Sequence, residues 1–390
     1  MSSFANRPRS AARLLAFAVV ILIASVSTSA SFAAAAQSKK TAVVSVMTRN
    51  LYLGADLSPA LDATDLCGAI DGAGEILNEV DRTNFPARAV ALGDEILAAN
   101  PALVGLQEVA LWRNQADSDY TTTPATEVSY DFLKLLLDNL DHKYRVAVVQ
   151  NEFDEELPAD TDGSDATEDS SGSLGGLGCG IDMDGRLTMR DVILVRKGGR
   201  VTVSDPRSGQ FQHQAVFTVG GAVSVPVERG WVSVRASVDQ GPNYRPNRFR
   251  FVSTHLEAFD DGSLRAAQAR ELLKPGGPAA RSEKTVLLGD FNSGNVIDGV
   301  FGNDRLAHQA IVAAGFQNLG VRDSCCYPSA LNDPGFLFDH TVDHVYARPT
   351  ARLLDGRITG NDASKMVPSG AESLWPSDHG GVVERIRLRR

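Results

Sequence analysis

The sequence predicts an α/β (α+β) chain in which packed sheets carry helices on the outside. Three observations support this. Short β-rich runs alternate with longer helical periods, several β-runs stop abruptly at a polar residue, and no linker-like stretch divides the chain after its first 36 residues. With 43% apolar and 22% charged residues in a chain of 390, a large core is available.

The first segment stands apart. Arg7, Arg9 and Arg13 precede an apolar run from Leu14 to Val26, and small residues follow up to Ala34-Ala35-Ala36-Gln37. This is the pattern of a secretory signal peptide over residues 1–36. The run is well short of the ~20 residues of a membrane helix. The expectation is an exported (secreted or periplasmic) protein with no stable membrane span, whose domain covers 37–390. Removing residues 1–36 takes away three arginines and no acid, leaving 35 basic against 48 acidic residues, a net −13. That balance argues against sequence-independent coating of nucleic acid. Four cysteines in an exported chain point to disulfides. Neighbouring cysteines seldom bond to each other, so Cys325 and Cys326 are expected to pair outward, to Cys67 and Cys179 in either order.

The elements follow in sequence. Ala42–Met47 is β-rich and ends at Thr48-Arg49-Asn50, and 85–99 has helical periodicity through Ala89, Leu92, Ile96 and Leu97. The short strand 103–106 ends at Gln107-Glu108. Residues 132–140 read as helix and 144–149 as strand. Acids, Gly and Ser then dominate residues 151–185, which read as a long surface insertion. Strands are expected again at 192–195, 231–238 and 249–254. A helix over 264–273 is closed by Lys274-Pro275-Gly276-Gly277. The run Val286-Leu287-Leu288 leads into Gly289-Asp290-Phe291-Asn292, a helix follows near 305–314, and strands near 342–346 and 382–388 complete the order.

The polar residues that end these strands matter most. Asn50 ends the first strand, Glu108 ends LVGLQE, His255 ends FVSTH, and Asp290 with Asn292 ends VLLGDFN. Asp343 sits in HTVDHVYA, and Asp378-His379 stands in PSDHGG before the last strand. Each has an ordinary structural reading alone, as a turn former, solvated acid or satisfied histidine. Together they describe side chains converging on one end of a sheet sandwich, a rigid place to build a site.

The ordered set MTRNL, LVGLQEV, FVSTHLE, LLGDFN, TVDHVYA and PSDHGG resembles the endonuclease/exonuclease/phosphatase superfamily of DNase-I-like, metal-dependent phosphoesterases. The resemblance runs from about Val43 to the C-terminus. It implies a four-layer sandwich: two mainly antiparallel β-sheets face to face, with helices on both outer faces. It also implies roles for the matching residues. Glu108 and Asn50 would hold the metal, with Asp378 near it. Asp290 and Asn292 would position the attacking water and a phosphate oxygen. His379 would be the catalytic histidine oriented by Asp343, and His255 a phosphate-binding or acid histidine. Where the superfamily places further phosphate contacts, this chain reads TMRDVILVR, so Arg190 is a candidate substrate-binding residue and Asp191 another candidate; a structural ion pair is the alternative for both.

The residue types suit that chemistry on their own. A phosphoester is anionic and repels nucleophiles, so positioning and charge neutralisation provide most of the catalysis. A hard-oxygen set of Glu and Asn suits Mg²⁺, or Mn²⁺ or Ca²⁺, better than zinc. The expected activity is phosphoester hydrolysis by a monomeric enzyme, with nucleic acid, phospholipid and small phosphoesters all open as substrates. The alternative is a non-catalytic binding protein on the same fold, against which the retained Glu108, Asp290, Asn292, Asp343 and His379 argue. No hairpin rich in Trp and Phe stands out as a lipid-facing element.

Overall fold

The structure, a computed structural model, describes residues 41–116, 118–163, 179–259, 261–294, 304–349 and 351–389. From the N-terminal side, β1 (Thr41–Asn50) leads into α1 (Ser58–Leu61), α2 (Leu66–Arg82) and α3 (Phe85–Ala99). Then come β2 (Leu103–Gln107), β3 (Leu111–Ala116), β4 (Glu127–Asp131), α4 (Phe132–Asp138), β5 (Tyr144–Ala159) and β6 (Met183–Arg196). The middle of the chain holds β7 (Val201–Gln210), β8 (Ala215–Val219), β9 (Val223–Val227), β10 (Gly230–Val238) and β11 (Asn247–His255). The last part holds α5 (Ser263–Leu273), β12 (Thr285–Asp290), α6 (Arg305–Ala313), β13 (Gln317–Asn318), β14 (Asp343–Arg348) and β15 (Arg352–Thr359). It closes with β16 (Val367–Ser369), β17 (Glu372–Leu374) and β18 (Gly381–Arg389).

Two large sheets form. The eight-stranded one runs β15-β18-β1-β2-β6-β3-β4 with β5 on the other side of β6, and the six-stranded one runs β13-β14-β12-β11-β10-β7. Each contains one parallel pair, β1 with β2 and β11 with β12, among antiparallel neighbours. The expected sandwich is therefore present.

Period-two alternation builds its layers. Val44 and Val46 of β1, Phe249 and Phe251 of β11, and Val286 and Leu288 of β12 point into one core between the sheets. The opposite faces bury Met47, Val104 and Leu106 against α2, α3 and α4, and Val252, Leu287 and Tyr346 against α5 and α6. Both outer faces carry helices, giving four layers. No helix among the described residues is long and apolar enough to cross a membrane.

Three expectations need correcting. Residues 151–185 are not one insertion: β5 continues to Ala159 and β6 begins at Met183, a long ladder whose partners run from Tyr144↔Arg196 to Ala159↔Met183. Residues 164–178 of that stretch lie outside the described residues. The cysteines pair as Cys67–Cys179 and Cys325–Cys326. Packing of α2 beside Ile181 brings Cys67 and Cys179 together, with their Cα atoms 5.3 Å apart, and leaves the two neighbours to each other. Finally, α2 and β7–β9 fall where no element was expected. Glycines hide α2: a Cβ on Gly72 would meet the Pro59 carbonyl carbon at 2.4 Å, so the helix gives up propensity for close packing on α1.

The sheets approach closely at Gly105 of β2. A Cβ there would meet Leu288 Cδ1 at 2.4 Å and Ser253 Oγ at 2.5 Å on the facing sheet. Next to it, Thr48 donates to Gln107 Oε1 (3.0 Å) and Gln107 Nε2 donates to Ser253 Oγ (2.8 Å), fastening sheet to sheet. Gly105→Ala should cost about 1–3 kcal/mol by overpacking. Urea unfolding measures it, and an unchanged midpoint would mean that the sheets part freely at this point.

Candidate active site

The inner faces change character at one end of the sandwich. Continuing each alternation past the apolar residues gives Asn50 on β1, His255 on β11 and Asp290 on β12. Asp343 opens β14. Register does the rest: Asp290 lies opposite His255 on one side and opposite Asp343 on the other. Gly289 is required there, because at φ +147° a Cβ would meet the Thr254 carbonyl oxygen at 1.9 Å.

Asn50 spans the two sheets. Its Nδ2 donates to Glu108 Oε1 (3.0 Å) and to Asp290 Oδ2 (3.1 Å), while its Oδ1 accepts from Tyr52 N (2.9 Å). Glu108 Oε2 accepts from Leu53 N (2.8 Å). Glu108 and Asn292 both have left-handed backbones, φ +53° and +44°. They turn the chain sharply after β2 and β12 and aim their side chains into the cleft; such strain gathers at functional sites. Asn292 N donates to Asp290 Oδ1 (2.9 Å), its Nδ2 donates to Leu256 O (3.0 Å), and its amide lies 3.2 Å from His255 Nε2.

Two histidines face this group in different states. His379 Nδ1 donates to Asp343 Oδ2 (2.8 Å), which also accepts from Ser324 Oγ (2.8 Å). Its Nε2 lies 3.5 Å from Asp290 Oδ2. Burial opposes its charge, but the carboxylates of Asp343, Asp290 and Asp378 outweigh burial and hold its pKa well above the ordinary histidine value. His255 is the reverse: burial, then the charges of Arg229 and His379, push it well below. Arg229 can only donate, so at 3.0 Å it takes His255 Nδ1 as its acceptor, while His255 Nε2 lies 3.6 Å from Asp290 Oδ2.

The acids crowd one another. Burial and the neighbouring Asp343 raise Asp290. Burial, Glu108 and Asp290 push Asp378 up to about 7. Glu108, Asp290 and Asp378 thus concentrate negative charge on the cleft floor and offer oxygen donors of the kind a divalent cation such as Mg²⁺ takes, while the ligand atoms of Asp290, Asp343 and His379 lie within 4.8 Å of one another.

The cleft above these residues has a volume of about 400 Å³. Its floor is Glu108, His255, Asp290, Asn292, Asp378 and His379; its walls are apolar, with Leu57, Leu61, Phe153, Met189, Val227 and Phe259. Arg190 does not line it. Its guanidinium is committed to the carbonyls of Val109 (2.8 Å) and Ala110 (3.0 Å) and to Asp131 Oδ1 (2.6 Å), so the structural ion pair is the reading that holds. Asp191 is fully buried, and burial raises its pKa well above the ordinary value.

Sequence reasoning missed the arginines beneath the site. Arg49 donates to the His379 carbonyl and pairs with Glu95 at 3.1 Å. Arg88 on α3 donates to the carbonyls of Thr83 (2.8 Å), Leu51 (2.9 Å), Pro376 (3.0 Å) and Tyr52 (3.2 Å). Arg265 on α5 donates to the carbonyls of Asn292 and Ala258. Only their placement inside helical or strand periods, where an apolar residue would be expected, could have signalled them.

No family model matches the chain, and no curated protein does. Among solved structures it is similar to an endonuclease/exonuclease/phosphatase family protein from Bacteroides thetaiotaomicron: 13% identity, covering 90% of this chain and 100% of the other, TM-score 0.52. It is also similar to a mannosyl-6-phosphatase of the same organism, at 13% identity, covering 88% of this chain and 99% of the other, TM-score 0.50. The chain has the fold of the endonuclease/exonuclease/phosphatase superfamily, in agreement with its motifs.

Arg88→Met keeps the length and apolar stem but leaves four carbonyls without their donor. It should destabilise the protein by about 3 kcal/mol or more, since each unsatisfied buried acceptor costs ~1–3 kcal/mol. A loss below about 1 kcal/mol in a chemical melt would show that water replaces the guanidinium without penalty.

Proposed function

We propose that this chain is an exported, metal-dependent phosphoester hydrolase. The observation that carries the reading is the unbroken line Asp343–His379–Asp290–Asn50–Glu108, which joins a histidine–carboxylate pair to a hard-oxygen group across the two sheets. Export is supported by the N-terminal pattern of the sequence and by the disulfides Cys67–Cys179 and Cys325–Cys326.

Glu108 and Asp378 would hold the cation, with Mg²⁺ as the first choice and Mn²⁺ or Ca²⁺ as alternatives. Asn50, expected as a further ligand, instead turns its Nδ2 to Glu108 and Asp290 and its Oδ1 to Tyr52 N, and so steadies Glu108. Bound there, the cation supplies positive charge for the phosphoryl oxygens and counters the carboxylates that favour a protonated His379. Asp343 keeps the Nδ1 proton of His379 in place, so Nε2 is the atom that exchanges a proton over the cleft floor. Asp290 sits beside it to align the attacking water. Asn292 and His255, the latter held neutral, face the phosphoryl oxygens, and neither needs to change charge.

A second reading concerns the substrate. Among the described lining residues Arg229 is the single Lys or Arg, against acids that include Asp56 and Glu228, a poor lining for a long polyanion. The apolar walls continue into a smaller cavity bounded by Leu57, Leu61, Ile76, Trp112 and Leu187. At the mouth Phe259 meets Phe217 edge to face (5.5 Å), and Val216 and Val223 of the β8–β9 hairpin are exposed. This apolar rim, assembled from distant segments, favours a phosphodiester with an apolar arm, such as a phospholipid, over nucleic acid.

A panel of bis-p-nitrophenyl phosphate, p-nitrophenyl phosphate, plasmid DNA and sphingomyelin, with and without EDTA, tests both readings. Chelation should abolish turnover and Mg²⁺ or Mn²⁺ restore it; full activity in dialysed, metal-free protein would remove the metal assignment. Faster cleavage of DNA than of sphingomyelin would overturn the second reading.

His379→Ala should lower kcat by ~10²–10⁴-fold, the usual contribution of general acid–base catalysis. Asp343→Asn should be severely impaired, and the double variant little worse than His379→Ala, since members of one catalytic unit are not additive. Losses that multiply would show that the two residues act separately.

A further inference from the structure

The pair Cys325–Cys326 lies in the segment between β13 and β14, against the same histidine. Cys326 lines the cleft and its Sγ is 3.8 Å from His379 Nε2; Cys325 is buried behind it. The ligand atoms of Cys325, Cys326 and His379 all lie within 4.8 Å of one another. The backbone around them is fixed: Tyr327 N donates to Asp378 O (2.8 Å), Gly380 N to Ser324 O (2.6 Å), and Cys325 bridges His340. Both sulfurs and the imidazole are thus presented to one point from a common frame.

We propose that opening the Cys325–Cys326 disulfide creates a site for a thiophilic divalent cation, Zn²⁺ above all, held by two thiolates and His379 Nε2. A dithiol reductant supplies two electrons and two protons, the S–S bond becomes two thiols, and the reductant leaves as a disulfide. Zinc binding then releases both thiol protons to solvent. The spacing suits the metal: with Zn–S ~2.3 Å and Zn–N ~2.1 Å, tetrahedral S and N ligands stand about 3.6 Å apart. The support behind the imidazole suits it as well, because Nδ1–H donates to the Asp343 carboxylate, the arrangement that orients a zinc-bound histidine and raises its basicity. Two sulfurs and a nitrogen select a softer metal than the carboxylate oxygens of Glu108 and Asp378, so the two sites differ in what they hold. Zinc at this point occupies the Nε2 that the proposed chemistry needs. The disulfide therefore keeps His379 free, and the reduced, zinc-loaded chain is held inactive.

Cobalt uptake by the full chain tests this, and the readout is spectroscopic, so it stands whether or not the activity reading holds. After dithiol reduction and anaerobic desalting, Co²⁺ should give a thiolate-to-cobalt charge-transfer band that saturates at one equivalent and is displaced by Zn²⁺. The oxidised chain and reduced Cys325→Ser/Cys326→Ser should not give it. Because reduction also frees Cys67 and Cys179, Cys67→Ser/Cys179→Ser is the control in which the band persists. Asp343→Asn should keep the band but weaken zinc affinity ~10–100-fold, as loss of a supporting carboxylate does. No band in the reduced wild type, or an undiminished one in reduced Cys325→Ser/Cys326→Ser, overturns the proposal. Should that double variant fail to fold, Cys326→Ser alone takes its place.

Discussion

The cleft end of the molecule depends on buried guanidiniums bonded to backbone carbonyls. Strands stop there, so the sheet ladders can no longer satisfy the carbonyls of the loops that line the cleft. Arg49, Arg88 and Arg265, all essentially without solvent exposure, replace the ladders. One guanidinium offers five donors in a fixed plane, so a single side chain can fasten several turns of loop. Arg88 ties the segment after β1 to Pro376, just ahead of Asp378 and His379. Arg49 holds the carbonyl of His379 itself, and Arg265 holds that of Asn292. The line from Asp343 to Glu108 keeps its geometry because its carriers are bolted from beneath.

That geometry concentrates negative charge. Glu108, Asp290, Asp343 and Asp378 lie close together at or beside the cleft floor, and two of them are raised above their ordinary pKa by burial and one another. Such a group works against folding, so stability is traded for a concentrated patch of charge. The two histidines divide the field. His379 faces the acids and is charged by them, whereas His255 is backed by Arg229 and stays neutral.

Much of this was legible in the sequence wherever one strand carried both the pattern and the residue. Alternation in β1, β11 and β12 gives the buried face, and one more step of the same period gives Asn50, His255 and Asp290. The strand-ending polar residues therefore meet at one end of the sandwich that the same pattern implies. What stayed hidden depends on contacts between distant segments. Helix α2 is obscured by glycines whose purpose is the close approach of Pro59 and of the Asp160 carbonyl. Strand β7 contains Asp205-Pro206, tolerable because it lies at the edge of its sheet. The apolar cleft walls come from α1, β5, β6, β9 and the segment after β11, each contributing a residue or two, so no local window is rich in them. The disulfides were misassigned because adjacency in the chain is visible and the docking of α2 beside Ile181 is not.

The cleft is built by two separate sets of elements. Its floor belongs to strand ends locked by the sandwich and its arginines. Its walls belong to α1, the middle of the β5–β6 ladder and the β8–β9 hairpin, which rest on that framework and on the Cys67–Cys179 crosslink at its margin. Exchanging Phe153 or Phe259 leaves every partner of His379 and Asp290 in place. A substitution on the floor therefore disturbs several bonded partners at once, while one on the walls changes the shape of the cleft alone. The shape of the cleft can thus be retuned without dismantling the framework beneath it.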